Sequence, residues 1–316
     1  MKISLEEMAQ KISVANSFII TAHVNPDGDA LGSALGLKFI LEGMGKEAKV
    51  VIDDKWDKNF SILSGIESVI NLQENPEEKF KADYVILLDA SIDRCGKVIE
   101  NCPDMKVLNI DHHVSNDDKA DFLYLDADAP ATAEIIYRLA KVLKVEFNTE
   151  IAVNLYTGMA TDTGFFRYSN TKPYTMIAAA EMMEAGAKPN KISEALEVKS
   201  YETIKGLAAA MQTIEISENG KVAGVYLPYE IVKDLDTTEG FIDQVRIIEG
   251  VDVAVLMKEK EPNLCRVSMR SKETNVSAIA QSLGGGGHIR AAGATIELPL
   301  DEAKKKLLEV INEALV

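Results

Sequence analysis

All four histidines of this 316-residue chain lie in short segments that are also rich in aspartate or glycine. They are His23 in HVNPDGDA, His112 and His113 in DHHVSND, and His288 in GGGGHIRAAG. Imidazole is the side chain that most often serves both to bind metal and to move protons near neutral pH. Because no histidine remains for ordinary core or surface positions, this distribution indicates metal chemistry.

The first of these segments has the spacing of a metal site. His23, Asp27 and Asp29 form the pattern H-x-x-x-D-x-D between a predicted strand and a predicted helix. Gly28 gives the backbone freedom to turn there, and Asp29 is positioned where the helix begins. Two carboxylates and an imidazole this close together require cations. By itself, however, NPDGD is explained equally well as an Asp-rich capping turn.

Further acids and imidazoles follow at the ends of predicted elements. Asp89 ends one apolar run, Asp111, His112 and His113 end the next, and Asp162 closes a helical segment. A helix cap or an ion pair explains each of these residues taken alone. Capping does not explain their joint occurrence at element ends, because an uncompensated buried carboxylate is costly.

The composition of this set indicates which metal it would bind. Four aspartates and two imidazoles disfavour a structural zinc site, which is built mainly from Cys and His. An oxygen-rich set favours Mn²⁺ or Mg²⁺, with Co²⁺ or iron as alternatives. A shared carboxylate would form a two-metal centre with the ions about 3.5–4 Å apart, which is suited to in-line attack on phosphorus. The predicted reaction is therefore phosphoester hydrolysis.

The elements that position these residues alternate between strand and helix. Apolar runs and helical periodicity predict strands over 17–23, 48–52, 83–91 and 106–113, and helices over 30–45, 132–143, 149–162 and 173–186. This alternation predicts an α/β fold with a mainly parallel sheet flanked by helices. Such folds bind ligands at the carboxyl ends of their strands, where the candidate residues lie.

The pattern changes near residue 187, and we place a domain boundary there. We predict a first domain over 1–186, a linker over 187–205 and a smaller α/β domain over 206–316. Within the second domain we expect strands at 221–228, 252–259 and 263–271, and helices at 275–283 and 301–315.

Charge and composition restrict the partners. The net charge is −16, and no basic run provides the phosphate-neutralising track that long nucleic acid requires. A short phosphorylated substrate fits better, although acidity that only favours solubility is an equally good explanation. The sequence has neither a long uncharged apolar run nor a signal-peptide pattern, so we expect no membrane association and a cytoplasmic location.

The motifs also resemble those of a known family. HVNPDGDALGSA, LLDAS, DHHVSN and ATDTG, followed by GGGGH-xx-AAG, are similar in order to those of the DHH/DHHA1 phosphoesterases, and within them to the group that hydrolyses nano-RNA and 3′-phosphoadenosine-5′-phosphate (pAp). The resemblance implies an N-terminal DHH domain and a C-terminal DHHA1 domain with a cleft between them. It further implies two Mn²⁺ ions, and it suggests a homodimer.

The resemblance implies a role for each candidate residue of the first domain. One Mn²⁺ would be held by His23, Asp27 and Asp89. The other would be held by Asp29, Asp89, His112 and Asp162, so that Asp89 bridges the two ions. His113 would face the phosphate and assist the leaving group, while Asp111 would orient a neighbouring imidazole.

Substrate contacts are implied at Asn116, where an ordinary polar role in a loop is an equally good alternative, and in the second domain. There the glycine run would present backbone N–H groups to an anion. The residues expected to clamp a terminal phosphate are Arg270, Ser271, Gly286, Gly287 and His288. Asn275 and Leu283 occupy positions where relatives often have Asp and Phe. This difference weakens the case for base stacking in this region. Phe165 and Tyr168 are candidates for stacking on a base, with a core role as the stronger alternative.

The sequence thus predicts a Mn²⁺-dependent phosphoesterase that releases mononucleotides from very short RNA. Short DNA, pAp and linear or cyclic dinucleotides such as cyclic di-AMP are further candidate substrates. One alternative is an inorganic pyrophosphatase or polyphosphatase with the same metal ligands, whose second domain should carry several Lys and Arg. The other is a non-catalytic nucleotide-binding regulatory module, which the complete set of predicted ligands disfavours.

Overall fold

Continuous apolar runs build a parallel sheet in the first part of the chain. The computed structural model describes residues 1–116, 119–235, 237–238 and 240–315. Its first sheet contains β1 (Ser17–Thr21), β2 (Glu47–Ile52), β3 (Ile70–Asn71), β4 (Tyr84–Leu88), β5 (Lys106–Asp111) and β6 (Phe122–Leu125). The strand order is β3-β2-β1-β4-β5-β6, and all neighbours are parallel. The predicted α/β class is confirmed.

Six helices pack on one face of this sheet. They are α1 (Leu5–Val14), α2 (Gly28–Gly43), α3 (Thr132–Leu143), α4 (Thr149–Asp162), α5 (Pro173–Glu184) and α6 (Pro189–Glu197). Alternate strand residues such as Phe18 and Ile20 join the helices in one large core. The opposite face, with Ile19 and Leu87, is covered by turns and short 3-10 helices between β2 and β6.

The strand order places the predicted site at a reversal in the sheet. The chain moves outward in one direction from β1 to β2 and β3, and in the other direction from β4 to β5 and β6. At such a point the connections leave on opposite sides, and a crevice opens at the carboxyl ends of the two central strands. His23 follows β1, and Asp89 follows β4.

The observed element bounds differ from the predictions in an informative way. Helices α3 and α4 have the predicted bounds, whereas β1, β4 and β5 are shorter than predicted at their carboxyl ends. The polar residues leave the sheet there and turn into the site. Helix α1 was missed, although Ser4 and Glu7 form a capping box before it, a signal that the sequence carries.

Helices α2 and α4 approach each other closely because of glycine. A Cβ atom at Gly32 would lie 2.5 Å from the carbonyl oxygen of Asn154. A Cβ at Gly158 would lie 2.6 Å from Ala133 Cβ and 2.8 Å from Asp29 Oδ1. This contact brings the first turn of α2, with Asp29, toward the last turn of α4, with Asp162.

The second part of the chain forms a mixed sheet with its own core. Its elements are α7 (Tyr201–Met211), β7 (Glu215–Ile216), β8 (Val222–Leu227), α8 (Tyr229–Val232), α9 (Phe241–Arg246), β9 (Val253–Glu261), β10 (Leu264–Ser271), α10 (Val276–Ser282), β11 (Gly286–His288), β12 (Ala291–Ile296) and α11 (Leu300–Ala314). The strand order is β11-β12-β10-β9-β8-β7, with β8 and β9 parallel and the other pairs antiparallel.

The chain divides into two units, Met1–Val198 and Lys199–Val316. The division falls inside the range 187–205 that we predicted as a linker. Most of that range is helical, because it contains the whole of α6 and the beginning of α7. Within the described residues, no helix has both the length and the apolar character needed to cross a bilayer.

Candidate metal centre

The carboxyl ends of three neighbouring strands bring the histidines and Asp89 together. His23 lies two residues beyond β1, Asp89 directly follows β4, and His112 directly follows β5. All three side chains are buried. Because these strands are adjacent and parallel, residues that are far apart in the chain meet at one edge of the sheet.

Asp89 is at the centre of this cluster, and its side chain is only 2% exposed. The Nε2 atom of His23 lies 3.5 Å from its Oδ2, and the Nε2 atom of His112 lies 3.3 Å from its Oδ1. The hydroxyl of Thr132 donates to Oδ1 at 3.0 Å. Each oxygen of the carboxylate therefore faces a different imidazole.

Backbone carbonyls orient both imidazoles. The Nδ1 atom of His23 lies 2.9 Å from the carbonyl oxygen of Val24, and that of His112 lies 3.1 Å from the carbonyl oxygen of Ala129. A carbonyl can only accept, so Nδ1 carries the proton in each ring, and the lone pair of the neutral ring is on Nε2. Both lone pairs then face the carboxylate of Asp89, an arrangement that requires a proton or a cation.

Three more carboxylates come from helix ends, and they belong to Asp27, Asp29 and Asp162. Asp27 caps α2 through Oδ1, which accepts from the N–H groups of Asp29 and Ala30, and the same oxygen lies 3.9 Å from His23 Nε2. Asp162, the last residue of α4, has Oδ2 3.4 Å from His112 Nε2.

Asp29, the third of these carboxylates, caps a neighbouring helix, which its position in the sequence did not indicate. It is fully buried, and its carboxylate accepts the N–H groups of Thr132 at 2.6 Å and Ala133 at 2.8 Å. These groups begin α3, whose N-cap residue is Ala131, a residue without a capping side chain. Asp29 therefore caps α3 from the neighbouring helix α2, and Ser33 donates a further hydrogen bond to its Oδ1.

The concentration of negative charge shifts the pKa values of the cluster. Burial opposes the charging of His23 and His112, but the hydrogen bonds and charge of Asp89 outweigh it and raise their pKa values to about 9 and about 11. Burial, together with the charge of Asp89, raises the pKa of Asp29 to about 8. Burial, together with Asp29, raises the pKa of Asp162 well above its usual range.

Asp89 is shifted in the opposite direction. Burial alone would raise its pKa, but hydrogen bonds from His112 and His23 hold it below the usual range. The site as a whole thus favours positive charge next to a carboxylate that stays ionised. Divalent cations meet that requirement, and they displace protons from such ligands when they bind.

The donor atoms fall into compact groups that fit metal ions. Within each group the ligand atoms lie within 4.8 Å of one another. The groups found among the described residues are His23 with Asp27 and Asp89, Asp29 with His112 and Asp162, and Asp89 with His112 and His113. Mixed carboxylate and imidazole donors of this kind suit Mn²⁺, Mg²⁺ or Co²⁺.

His113 is oriented by Asp111 and not by a backbone carbonyl. Its Nδ1 lies 2.8 Å from Asp111 Oδ1, which also accepts the backbone N–H groups of His112 and His113. The Nδ2 group of Asn116 donates to Asp111 Oδ2 at 2.6 Å. Burial would raise the pKa of Asp111, but these hydrogen bonds hold it below its usual value, so the group remains a carboxylate.

The structure therefore gives Asn116 a role that we had not predicted. Its side chain supports Asp111, whereas the resemblance implied a phosphate contact. That contact remains a prediction. Residue 117, which ends the DHHVSND segment, and residue 118 lie outside the described residues.

In the second unit, Arg270 and His288 lie on one face of the sheet. Arg270 on β10 is opposite Ala291 on β12, and Ala291 is opposite His288 on β11. Directly opposed residues of antiparallel strands project from the same face. Ser271, the next residue along β10, projects from the other face, is buried, and donates its hydroxyl to the carbonyl oxygen of Thr274.

Part of the glycine run belongs to the second sheet, and the expected contact of its N–H groups with an anion remains a prediction. Gly286, Gly287 and His288 form the edge strand β11, paired antiparallel with β12. A Cβ at Gly285 would lie 2.1 Å from the carbonyl oxygen of Gly293, and one at Gly287 would lie 2.6 Å from that of Ala291. The glycines therefore allow two backbones to approach closely. All three strand residues are exposed.

The four remaining residues singled out in the sequence have structural contacts. Phe165 packs against the core of the first unit, and a Cβ at Gly164 would meet the ring of Tyr168 at 2.3 Å. Asn275 caps α10 by accepting the N–H group of Ala278. Leu283 packs against the core of the second unit.

Comparison with known proteins identifies two domain families in the chain. Residues 17–159 match the model of the DHH family, N-terminal domain, and residues 219–316 match that of the DHHA1 domain. The chain is 35% identical to a Thermus thermophilus protein named bifunctional oligoribonuclease and PAP phosphatase NrnA, over 96% of this chain and 91% of that protein. It is 28% identical to the Bacillus subtilis protein of the same name, over 96% of each.

A solved structure shows the same fold. An exopolyphosphatase-related protein from Bacteroides fragilis superposes with a TM-score of 0.89 at 22% identity, covering 98% of this chain and 95% of that one. The predicted resemblance is confirmed by both domain matches and by the Thermus thermophilus relative. The chain belongs to the DHH family and carries a C-terminal DHHA1 domain.

Proposed function

We propose that the protein is a metal-dependent phosphoesterase that hydrolyses very short oligonucleotides. The observation that carries this proposal is the environment of Asp89, whose two oxygens face the Nε2 atoms of His23 at 3.5 Å and His112 at 3.3 Å. A carboxylate with an imidazole near each oxygen is suited to bridging two cations. A third imidazole, that of His113, has its Nδ1 3.6 Å from Oδ1. The names of the relatives, bifunctional oligoribonuclease and PAP phosphatase, support the substrate class.

The donor groups support the ligand sets that we propose. One cation would be held by His23, Asp27 and Asp89, and the other by Asp29, Asp89, His112 and Asp162. We propose Mn²⁺ as the metal, with Mg²⁺ and Co²⁺ as alternatives of compatible chemistry. Two such ions would supply positive charge for the phosphate oxygens and lower the pKa of an attacking water.

His113 would then act on the leaving group. Its Nδ1 donates to Asp111, so its Nε2 is directed away from that carboxylate. Protonated Nε2 can donate to the departing oxygen, while ionised Asp111 stabilises the imidazolium, as in other Asp–His pairs. General acid assistance of this kind contributes about 10²- to 10⁴-fold to the rate.

Substrate binding would use the face of the second sheet that carries Arg270 and His288. An Arg guanidinium holds a phosphate by paired hydrogen bonds, which suits a terminal phosphate. The net charge of −16 argues against the extended cationic track that long nucleic acid requires. We propose short RNA as the main substrate, with pAp, short DNA and cyclic di-AMP as secondary ones.

One experiment tests the proposal directly. The purified protein with Mn²⁺ is incubated separately with an RNA dinucleotide, a long RNA, pAp, cyclic di-AMP and pyrophosphate, and the products are separated by chromatography. We expect rapid hydrolysis of the dinucleotide and little of the long RNA. Hydrolysis of pyrophosphate alone would show that the protein is an inorganic pyrophosphatase. If no substrate were hydrolysed, a non-catalytic nucleotide-binding module would be favoured.

The predicted homodimer, the predicted cleft and the cytoplasmic location remain proposals. Analytical ultracentrifugation of the full chain tests the homodimer, since the mass of one chain is 34.5 kDa. Fractionation of the cells that produce the protein tests the location.

A further inference from the structure

The backbone at Asp89 has a conformation that other contacts must maintain. Its φ angle is +59°, in the left-handed region that residues other than glycine seldom adopt. This conformation costs roughly 1–2 kcal/mol for such residues, although Asp tolerates it better than most. A strained backbone of this kind persists only where the surroundings hold it. The question is which residue holds Asp89.

Asn109 is the side chain placed to do so. It lies within β5, beside β4 and opposite Leu87, and is only 1% exposed. Its Nδ2 group donates to the carbonyl oxygen of Leu87 at 3.0 Å and to that of Ala90 at 2.9 Å. These two carbonyls flank Asp89, one on each side. An amide nitrogen has two hydrogens, and here each of them holds one side of the turn.

The other end of the same amide connects to the support of His113. The Nδ2 group of Asn116 lies 2.8 Å from Asn109 Oδ1 and 2.6 Å from Asp111 Oδ2. Asp111 in turn accepts from Nδ1 of His113 through its other oxygen. A continuous hydrogen-bonded chain thus runs from the turn at Asp89 to the imidazole of His113.

We infer that Asn109 is a positioning residue for the metal centre: it fixes the left-handed turn that presents Asp89 and, through Asn116 and Asp111, the imidazole of His113. The inference rests on the metal assignment proposed above. It adds a residue that touches neither metal nor substrate and yet sets the relative positions of two groups that do.

The location of Asn109 supports a specific role over general packing. Its neighbours on that face of the sheet include the apolar residues Val85, Leu87 and Val107. A buried amide in such a layer costs free energy unless all its hydrogen bonds are made, and an aliphatic residue would pack there without that requirement. Here the hydrogen bonds of the Asn109 amide lead to the turn at Asp89 and to Asn116.

The chain contains a matched control. Asn101 is also buried, at 4% exposure, and its Nδ2 group also donates to two backbone carbonyls, those of Pro76 and Glu78. Its Oδ1 accepts from Lys79 Nζ. Asn101 therefore has the same bonding pattern as Asn109, but its partners belong to a loop with no candidate site residue.

The test compares Asn109→Ala, Asn109→Ser and Asn101→Ala in the full chain. Binding of Mn²⁺ alone is measured by electron paramagnetic resonance, unfolding by Tm, and turnover by kcat and KM on an RNA dinucleotide. We expect Asn109→Ala to weaken Mn²⁺ binding by at least about tenfold and to lower kcat more than it raises KM. Asn101→Ala should lower Tm and leave Mn²⁺ affinity at the wild-type value.

Asn109→Ser keeps the inference testable if the alanine variant does not fold. A serine hydroxyl has one proton and can hold only one of the two carbonyls, so Mn²⁺ affinity should lie between wild type and Asn109→Ala. Wild-type Mn²⁺ affinity in a folded Asn109 variant would overturn the inference. Failure of the proposed function is distinguishable, because it would appear in the wild-type protein as absent Mn²⁺ binding or an intact dinucleotide.

Discussion

The Nε2 atom of His112 faces Oδ1 of Asp89 at 3.3 Å, while the Nδ1 of the same ring is directed at the carbonyl oxygen of Ala129. If the ring were neutral, its Nε2 and the Oδ1 of Asp89 would be two acceptors 3.3 Å apart. A proton or a metal ion must therefore lie between them, and the raised pKa of His112, about 11, reflects the same requirement. From this relationship follow predictions about metal binding, pH and individual side chains.

Removing the central carboxylate should abolish turnover. Asp89→Ala leaves His23 and His112 without their shared partner, so we expect loss of at least one bound Mn²⁺ and a fall in kcat of about 10³-fold or more. Metal content by atomic spectroscopy and hydrolysis of an RNA dinucleotide measure both effects. Asp128→Asn, at a side chain that is 96% exposed, is the control. Near-normal hydrolysis by Asp89→Ala would contradict the bridging assignment.

Replacing His113 should separate chemistry from metal binding. In His113→Ala we expect a kcat lowered by about 10²- to 10⁴-fold, because the leaving group loses its acid. The ligand sets proposed for both ions do not include His113, so the metal content should equal that of wild type. A variant that loses Mn²⁺ along with activity would instead make His113 a ligand, grouped with Asp89 and His112.

The stability of the metal-free protein should fall as the pH rises. The pKa of His23 is about 9 in the folded state and 6.5 ordinarily, so the folded state holds this proton more tightly. Its stabilising contribution is complete below pH 6.5 and is lost as the pH rises through 9. The raised pKa of Asp29, about 8, acts in the same direction.

Thermal unfolding between pH 6.5 and 9 measures this effect. We expect Tm to decrease across the range without metal and to depend less on pH with saturating Mn²⁺, which replaces the protons. His288→Gln, at an exposed histidine, should retain the wild-type slope. A Tm that rises with pH in the metal-free protein would refute the prediction.

Separating α2 from α4 should disturb the site. Alanine is normally favoured over glycine in a helix by about 1 kcal/mol. At Gly158, however, a Cβ would lie 2.8 Å from Asp29 Oδ1, so we expect Gly158→Ala to destabilise the protein by about 1–3 kcal/mol and to weaken Mn²⁺ binding. Gly43→Ala is the matched control, because among the described residues the added Cβ would meet nothing within 4 Å apart from its chain neighbours and its own helix backbone. In denaturant unfolding, Gly158→Ala should lose stability relative to wild type and Gly43→Ala should not. Equal changes in the free energy of unfolding of the two variants would exclude the packing explanation.

Arg270 should contribute to binding more than to chemistry. If its guanidinium holds a terminal phosphate throughout the reaction, Arg270→Ala will raise KM for a dinucleotide much more than it lowers kcat. Lys306→Ala, which removes an exposed positive charge from α11, controls for the change in net charge. An unchanged KM in Arg270→Ala would remove this residue from the substrate site.

The local patterns predicted much of the fold. The bounds of α3 and α4 agree with the periodicity of residues 132–143 and 149–162, because a helix that buries one apolar stripe records that stripe in its sequence. Weak or short signals were missed, including α1 with its capping box at Ser4 and the two-residue strand β3. The strand within the glycine run at 284–287 was not predicted, because its partner β12, which requires glycine there, is identified only once the strands are paired.

The sequence by itself determined which residue types are concentrated at the ends of the strands. A buried parallel strand is one continuous apolar run in the chain, so the polar residues at its carboxyl end directly follow that run in the sequence. His23, Asp89 and His112 were found in this way. The tertiary structure alone decided how these groups are held. Asp29 caps a helix that begins 103 residues later, and Asn109 bonds to one carbonyl on the neighbouring strand β4 and to another in the turn after it. Such bonds join groups that only packing brings together, so no local pattern contains them.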